Sequence, residues 1–217
     1  MRAPEHAAAG PRIVLAIDTA TAPGSVALRV GERTSERALD WRASFRQMAP
    51  AIEELRTEAG LAWSDLDAIA VPAGPGSFTG LRVGAALALG LARIADRPLF
   101  GVPTLAAVAE AFGPPDARRV CATLDARRGR RYAALYERAG PGRWEILEGP
   151  LDLEPSAVDA LAGAAPQVGP DLATDRPDRA RLAGAIAGLA AADPGRYGLS
   201  SPRVLELVYA RSAVDVR

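Results

Sequence analysis

An apolar run that ends on an aspartate, turns tightly and comes back as a second run occurs twice in the chain. Ile13-Val14-Leu15-Ala16-Ile17 ends at Asp18, turns through Thr19 to Gly24, and returns as Ser25 to Val30. Val120-Cys121-Ala122-Thr123-Leu124 ends at Asp125, turns through Ala126 to Arg131, and returns as Tyr132 to Tyr136. A continuous apolar run bounded by turn residues suits a strand buried on both faces. Two such hairpins in 217 residues favour a two-lobed, duplicated α/β chain. A chance likeness between two hairpins is the alternative that the pattern leaves open.

The segments around the hairpins fill in the lobes. Ser35 to Trp41 can add a third strand to the first meander, and Pro50 to Ala59 reads as a helix ended by Gly60. Ala68 to Val71 is a short strand, Phe78 to Ala95 a long helix, Pro98 to Val102 a strand, and Thr104 to Phe112 a capped helix. Gly113-Pro114-Pro115-Asp116 marks a break. Beyond the second hairpin, Trp144 to Leu147 reads as a strand, and Pro155 to Leu161 and Asp178 to Ala191 as helices. Gln167-Val168 reads as a short strand before the Gly169-Pro170 loop. Val204 to Tyr209 is apolar enough for a strand or a closing helix, and residues 1–11 read as a disordered leader.

The stretch Gly74-Pro75-Gly76-Ser77-Phe78-Thr79-Gly80-Leu81-Arg82-Val83-Gly84 joins a strand to the long helix. Ser77 or Thr79 can cap that helix. Bare amides at a helix start attract anions, so a phosphate-cradling loop is one reading and a tight packing turn the other. The usual phosphate-loop lysine is missing, because all 26 basic residues of the chain are Arg. Further along, Gly80, Gly84, Ala88 and Ala92 are spaced by four and share one face, which would let another helix approach closely. Leucines and Val83 leave the other faces apolar too, so this helix must be covered all round, by its own chain or by a second one.

Composition removes several chemistries. The one histidine, His6, lies near the start, and the one cysteine is Cys121. Zinc sites of His and Cys within one chain, Ser-His-Asp and Cys-His nucleophile systems, and lysine Schiff bases are thereby excluded. One cysteine gives no intrachain disulfide, which fits a reducing cytoplasm. Equal numbers of basic and acidic residues, 26 each, give no overall basic field for nucleic acid. The densest charge cluster, Arg127-Arg128-Gly129-Arg130-Arg131, reads either as an RNA-phosphate contact or as a solvated hairpin tip. Asp18 and Asp125 read either as phosphate- or metal-directed carboxylates or as residues that start a turn through their own hydrogen bonds.

These motifs resemble the TsaB family, the dimerisation subunits of the bacterial machinery that makes threonylcarbamoyladenosine in tRNA. The resemblance rests on the Gly74–Gly84 stretch, on Leu15-Ala16-Ile17-Asp18-Thr19-Ala20, on Gly101-Val102-Pro103-Thr104-Leu105, on Leu124-Asp125-Ala126-Arg127-Arg128-Gly129, and on Val208-Tyr209-Ala210-Arg211. It implies two ribonuclease-H-like lobes of the actin/Hsp70/sugar-kinase (ASKHA) superfamily, each a mixed sheet with flanking helices. The expected lobes are 12–104 and 105–217, with 201–217 packing back on the first lobe.

The resemblance also implies a partner subunit without catalytic or metal-binding residues of its own. It would bind and activate a TsaD-like transferase for N6-threonylcarbamoylation of adenosine 37 in tRNA, joined by a TsaE-like ATPase, with tRNA reached through the complex. Homodimers would use a similar surface. The expected interface residues are Met48, Ile52, Leu55, Gly80, Leu81, Gly84, Ala85, Ala88 and Leu91. Expected nucleotide contacts, for weak ATP or ADP binding within the complex, are Asp18, Thr19, Gly74, Gly76 and Ser77. The location implied is cytoplasmic, with no membrane association. The rival function is an autonomous ATP-dependent phosphotransferase using Asp18 and Asp125; a metallopeptidase would need histidines that the chain lacks. Ser44, Pro72-Ala73 and Leu207 depart from the residues common in the family.

Overall fold

The computed structural model describes residues 10–40, 44–172 and 181–198. Of the leader expected over residues 1–11 only residues 10 and 11 are described, and the expectations for the rest of it and for 201–217, including Val204–Tyr209, lie outside the described residues.

The first hairpin forms as expected. Strand β1 (Ile13–Asp18) pairs antiparallel with β2 (Ser25–Val30), and β2 with β3 (Arg33–Ala38). β4 (Ala68–Gly74) lies parallel to β1, and β5 (Leu99–Pro103) parallel to β4, in the order β3-β2-β1-β4-β5. The second hairpin pairs β6 (Arg119–Arg127) with β7 (Arg130–Gly140), and β8 (Arg143–Leu153) continues the meander. The two-residue β9 (Gln167–Val168) runs parallel to β6, giving β8-β7-β6-β9. This repeats β3-β2-β1-β4 in both order and direction, which decides for duplication over chance likeness. The architecture is therefore the expected two mixed sheets with flanking helices.

Alternation along the strands gives each sheet two apolar faces. On the first sheet Leu15, Ile17, Ile69 and Val71 point outward to helices α1 (Ser44–Glu58) and α2 (Phe78–Ala95). Val14, Ala16, Ala27, Ala68 and Ala70 point inward. These inner residues are small, and the helix that covers them, α5 (Ala183–Ala192, sequence AGAIAGLAAA), is all Ala and Gly apart from the buried Ile186 and Leu189. Helix α3 (Thr104–Phe112) packs beside it and reaches the second sheet, so one continuous core joins Val14 and Ala70 to Val120, Tyr136 and Trp144. Helix α4 (Pro155–Ala162) covers Cys121 and Ala133 on the second sheet's far face. A short helix, α6 (Pro194–Tyr197), follows α5, and Gly198 bridges to Phe100 at the β5 edge.

Some bounds move for physical reasons. Helix α1 starts at Ser44 and runs through Pro50, ahead of the expected Pro50 start. Met48, Ala51, Ile52 and Leu55 form one buried stripe at helical spacing, and that burial outweighs the bond lost at the proline. β3 ends at Ala38, short of the expected Trp41, while β6, β7 and β8 all extend beyond their expected lengths. β8 is irregular against β7, with register shifts that break its alternation and hide its length in sequence. The 3-10 turn Trp63–Asp65 and helix α6 are too short to give a period.

Candidate functional site

The Gly74–Gly84 stretch closes on the turn that follows β1. Gly74 has φ +106°, a conformation that favours glycine. Gly76 lies so near the turn that a Cβ there would sit 2.8 Å from Ala20 atoms. The Ser77 amide donates to the Ala20 carbonyl at 2.9 Å. Ser77 is the N-cap of α2, its hydroxyl accepting from the Gly80 amide at 3.2 Å. Two amides of the would-be phosphate loop are thus spent on the chain itself, which supports the packing-turn reading over an empty anion cradle.

The face of α2 that carries Gly80 and Gly84 turns inward. The Thr19 hydroxyl donates to the Gly80 carbonyl at 2.7 Å. A Cβ on Gly80 would lie 1.8 Å from the Thr19 carbonyl oxygen, and one on Gly84 would lie 2.1 Å from the Thr19 hydroxyl. Gly80, Leu81, Gly84, Ala85, Ala88 and Ala92 are all buried against the chain's own sheet and turn. Met48, Ile52 and Leu55 are buried under α1 in the same core. In this structure these positions are packed within the chain, and at Gly80 and Gly84 the spacing by four marks close approach to Thr19. Leu91 is half-buried, on the flank of the helix.

The surface that α2 does present is its opposite face. Phe78 is 54% exposed and Ile94 82%. Ala86 and Gly90 are exposed between them, Val83 and Leu87 are half-buried, and Arg82 and Arg93 flank the stripe. The Arg82 guanidinium lies 3.8 Å over the Phe78 ring. The same helical period that found the small face could have found this one, since residues 83, 86, 87, 90 and 94 share a side. Alone among the described helices, α2 has the length and mean hydropathy, 1.4 over 18 residues, to suit a membrane span. Its buried face on the sheet accounts for part of that apolarity; the outer face accounts for the rest.

Asp18 is fully buried, yet its carboxylate serves the turn. The Ala20 amide donates to Oδ1 at 2.8 Å, and the Thr21 hydroxyl donates to Oδ2. Burial pushes its pKa up to about 6, helped by the negative charge of Glu36, while the hydrogen bonds from Thr21 and Ala20 hold it back. Asp125 repeats the geometry in the second sheet, accepting from the Arg127 amide at 2.7 Å, but it is exposed. Both aspartates therefore act as turn-starting residues in this structure.

The arginine tip is largely self-paired. Arg130 donates to Asp152 Oδ1 at 2.5 Å and to Glu154 at 2.7 Å. Arg131 forks onto both oxygens of Asp171 at 2.6 and 3.0 Å, and also donates to the Thr123 hydroxyl at 2.7 Å. Arg127 and Arg128 have positive φ and shape the tip around Gly129.

Comparison with known proteins places these features. The family model described as "TsaD: tRNA N6-adenosine threonylcarbamoyltransferase" matches residues 39–164, more than half of the chain. The chain is 40% identical over 147 residues to the Escherichia coli "tRNA threonylcarbamoyladenosine biosynthesis protein TsaB", covering 67% of this chain and 64% of that one. It is 43% identical over 121 residues to the Haemophilus influenzae protein of the same description, covering 55% and 51%. These alignments span less than two thirds of either relative's length. The solved structure "YeaZ from Pseudomonas aeruginosa" superposes with a TM-score of 0.76 at 30% identity, covering 91% of this chain and 99% of that one.

Proposed function

The chain belongs to the TsaB branch of the threonylcarbamoyladenosine biosynthesis proteins, and from that premise we propose that it is a non-catalytic partner subunit in the modification of adenosine 37 of tRNA. It binds and activates a TsaD-like threonylcarbamoyl transferase. One observation carries the reading: the outer face of α2 is an apolar stripe that is exposed at Ala86, Gly90 and Ile94, with half-buried Val83 and Leu87 beside them. A stripe of this kind, rimmed by arginines, marks a protein contact. Its two faces divide the labour, since Gly80 and Gly84 anchor the helix to the β1 turn while Val83, Ala86, Leu87, Gly90 and Ile94 meet the partner.

The residues support a subunit more than a lone enzyme. With one histidine and no lysine, the chain has little to offer for group transfer. Asp18, the best-placed acid for a phosphotransferase, has both oxygens engaged by its own turn. Nucleotide binding by the isolated chain is accordingly expected to be weak, with a TsaE-like ATPase supplying the nucleotide chemistry of the assembly. A homodimer through the same α2 face, and a cytoplasmic location, complete the proposal.

The test is reconstitution. The chain is mixed with a TsaD-type transferase, and complex formation is followed by size-exclusion chromatography with light scattering. Modified adenosine in tRNA is measured with and without the chain. A stable heterodimer and stimulated modification are expected; no complex and no stimulation would overturn the reading.

A further inference from the structure

A small slot lies where the two sheets meet. It holds about 130 Å3 and is bounded by Gly74-Pro75, by Pro103, Leu105 and Ala106 at the head of α3, by Tyr136, Trp144, Ile146 and Pro150, and by Arg196 and Tyr197 of α6. Prolines and aromatic rings make its walls stiff, and most of its lining is apolar. An apolar cavity of about 150 Å3 is known to take up a benzene-sized ring.

One charged side chain opens onto this apolar space: Arg196, a wall residue whose ion pair to Glu145, at 2.7 Å, uses Nη1. A guanidinium carries five N–H donors, so capacity to meet an anion remains.

We propose that this slot binds a small aromatic carboxylic acid, its ring held among Tyr136, Trp144 and Tyr197 and its carboxylate met by Arg196. The site is distinct from the α2 face, and its walls come from both sheets. Occupancy would therefore brace one lobe against the other.

The probe is benzoate, with benzyl alcohol as the uncharged control, read by saturation-transfer NMR on the full chain. Benzoate is expected to bind with a Kd on the order of 1 mM. Ala106→Leu, which fills the slot, should weaken benzoate roughly tenfold or more, and Arg196→Gln should bring benzoate down to the level of benzyl alcohol. Thermal melts check that each variant is folded. Ile146→Phe, at the 39%-exposed rim, narrows the same slot if Ala106→Leu lowers the folded fraction. No transfer to benzoate, or undiminished binding to the filled variants, overturns the site. Equal binding of benzoate and benzyl alcohol overturns its preference for acids.

Discussion

The Thr19 hydroxyl and the α-carbon of Gly84 stand so close that a Cβ on Gly84 would lie 2.1 Å from the oxygen. No side chain fits between helix α2 and the β1 turn at this point. The turn and the helix are one rigid unit, joined further by the Thr19-to-Gly80 hydrogen bond.

A substitution at Gly84 should therefore act on stability. Gly84→Ala is expected to cost about 1–3 kcal/mol through overpacking, lowering the thermal midpoint by roughly 3–10 °C. Gly90, on the other side of the same helix, has nothing within 4 Å of a Cβ position. Gly90→Ala should raise the midpoint by roughly 2–4 °C, because alanine is the better helix former. Calorimetry of both variants checks the assignment of the two faces, and a Gly84→Ala protein as stable as the parent would contradict it.

The same division predicts what breaks the complex. Gly90→Arg and Ala86→Arg place charge on the exposed stripe without entering the core. Each should weaken association with a TsaD-type partner at least about tenfold while leaving the melt near that of the parent. Gly84→Arg would also abolish association, but by unfolding the chain. Titration calorimetry alongside circular dichroism separates the two causes.

Asp18 gives a pH dependence with a defined sign. Its folded pKa, about 6, lies above its ordinary value of 3.8, so the folded state binds this proton more tightly than the unfolded chain. The contribution is present in full below about pH 4 and is lost as pH rises through about 6. The loss at neutral pH is about 3 kcal/mol. Asp18→Asn should flatten that part of the stability profile. Urea denaturation of both proteins from pH 4 to pH 7.5 measures it; parallel profiles would count against a raised pKa.

At the second sheet the two arginines beside the tip should separate by role. Arg131→Ala removes the fork onto Asp171 and the bond to Thr123, and should lower the thermal midpoint by roughly 2–4 °C. Arg128→Ala should leave it within about 1 °C, since no pairing partner of Arg128 stands among the described residues. Comparable losses for both would show that the tip is held together differently.

Much of the architecture was legible because it rests on unbroken local patterns. The Ile13–Asp18 and Val120–Asp125 runs announced the buried first strands, and the Gly74–Gly84 turn announced the strand-to-helix corner. The direction in which α2 faces was not legible. Its small residues say that something approaches closely, yet a neighbouring helix and the chain's own Thr19 turn satisfy that pattern equally well. Only the fold brings residue 19 to residue 84. The start of α1 was obscured by Pro50, whose local preference is overridden by the buried stripe from Met48 to Leu55. The slot beneath Trp144 draws on six separate elements, and no window of sequence contains it.

Helix α5 carries one more implication, for how the chain is made. The inner surface of the first sheet, laid down by residues 14 to 102, waits for a helix that begins at Ala183. During synthesis nearly the whole protein must leave the ribosome before that surface can be sealed. A nascent chain stalled earlier would expose a sheet of alanines and valines, and a gene fragment encoding the first sheet alone should yield insoluble product unless the α5 peptide is supplied beside it.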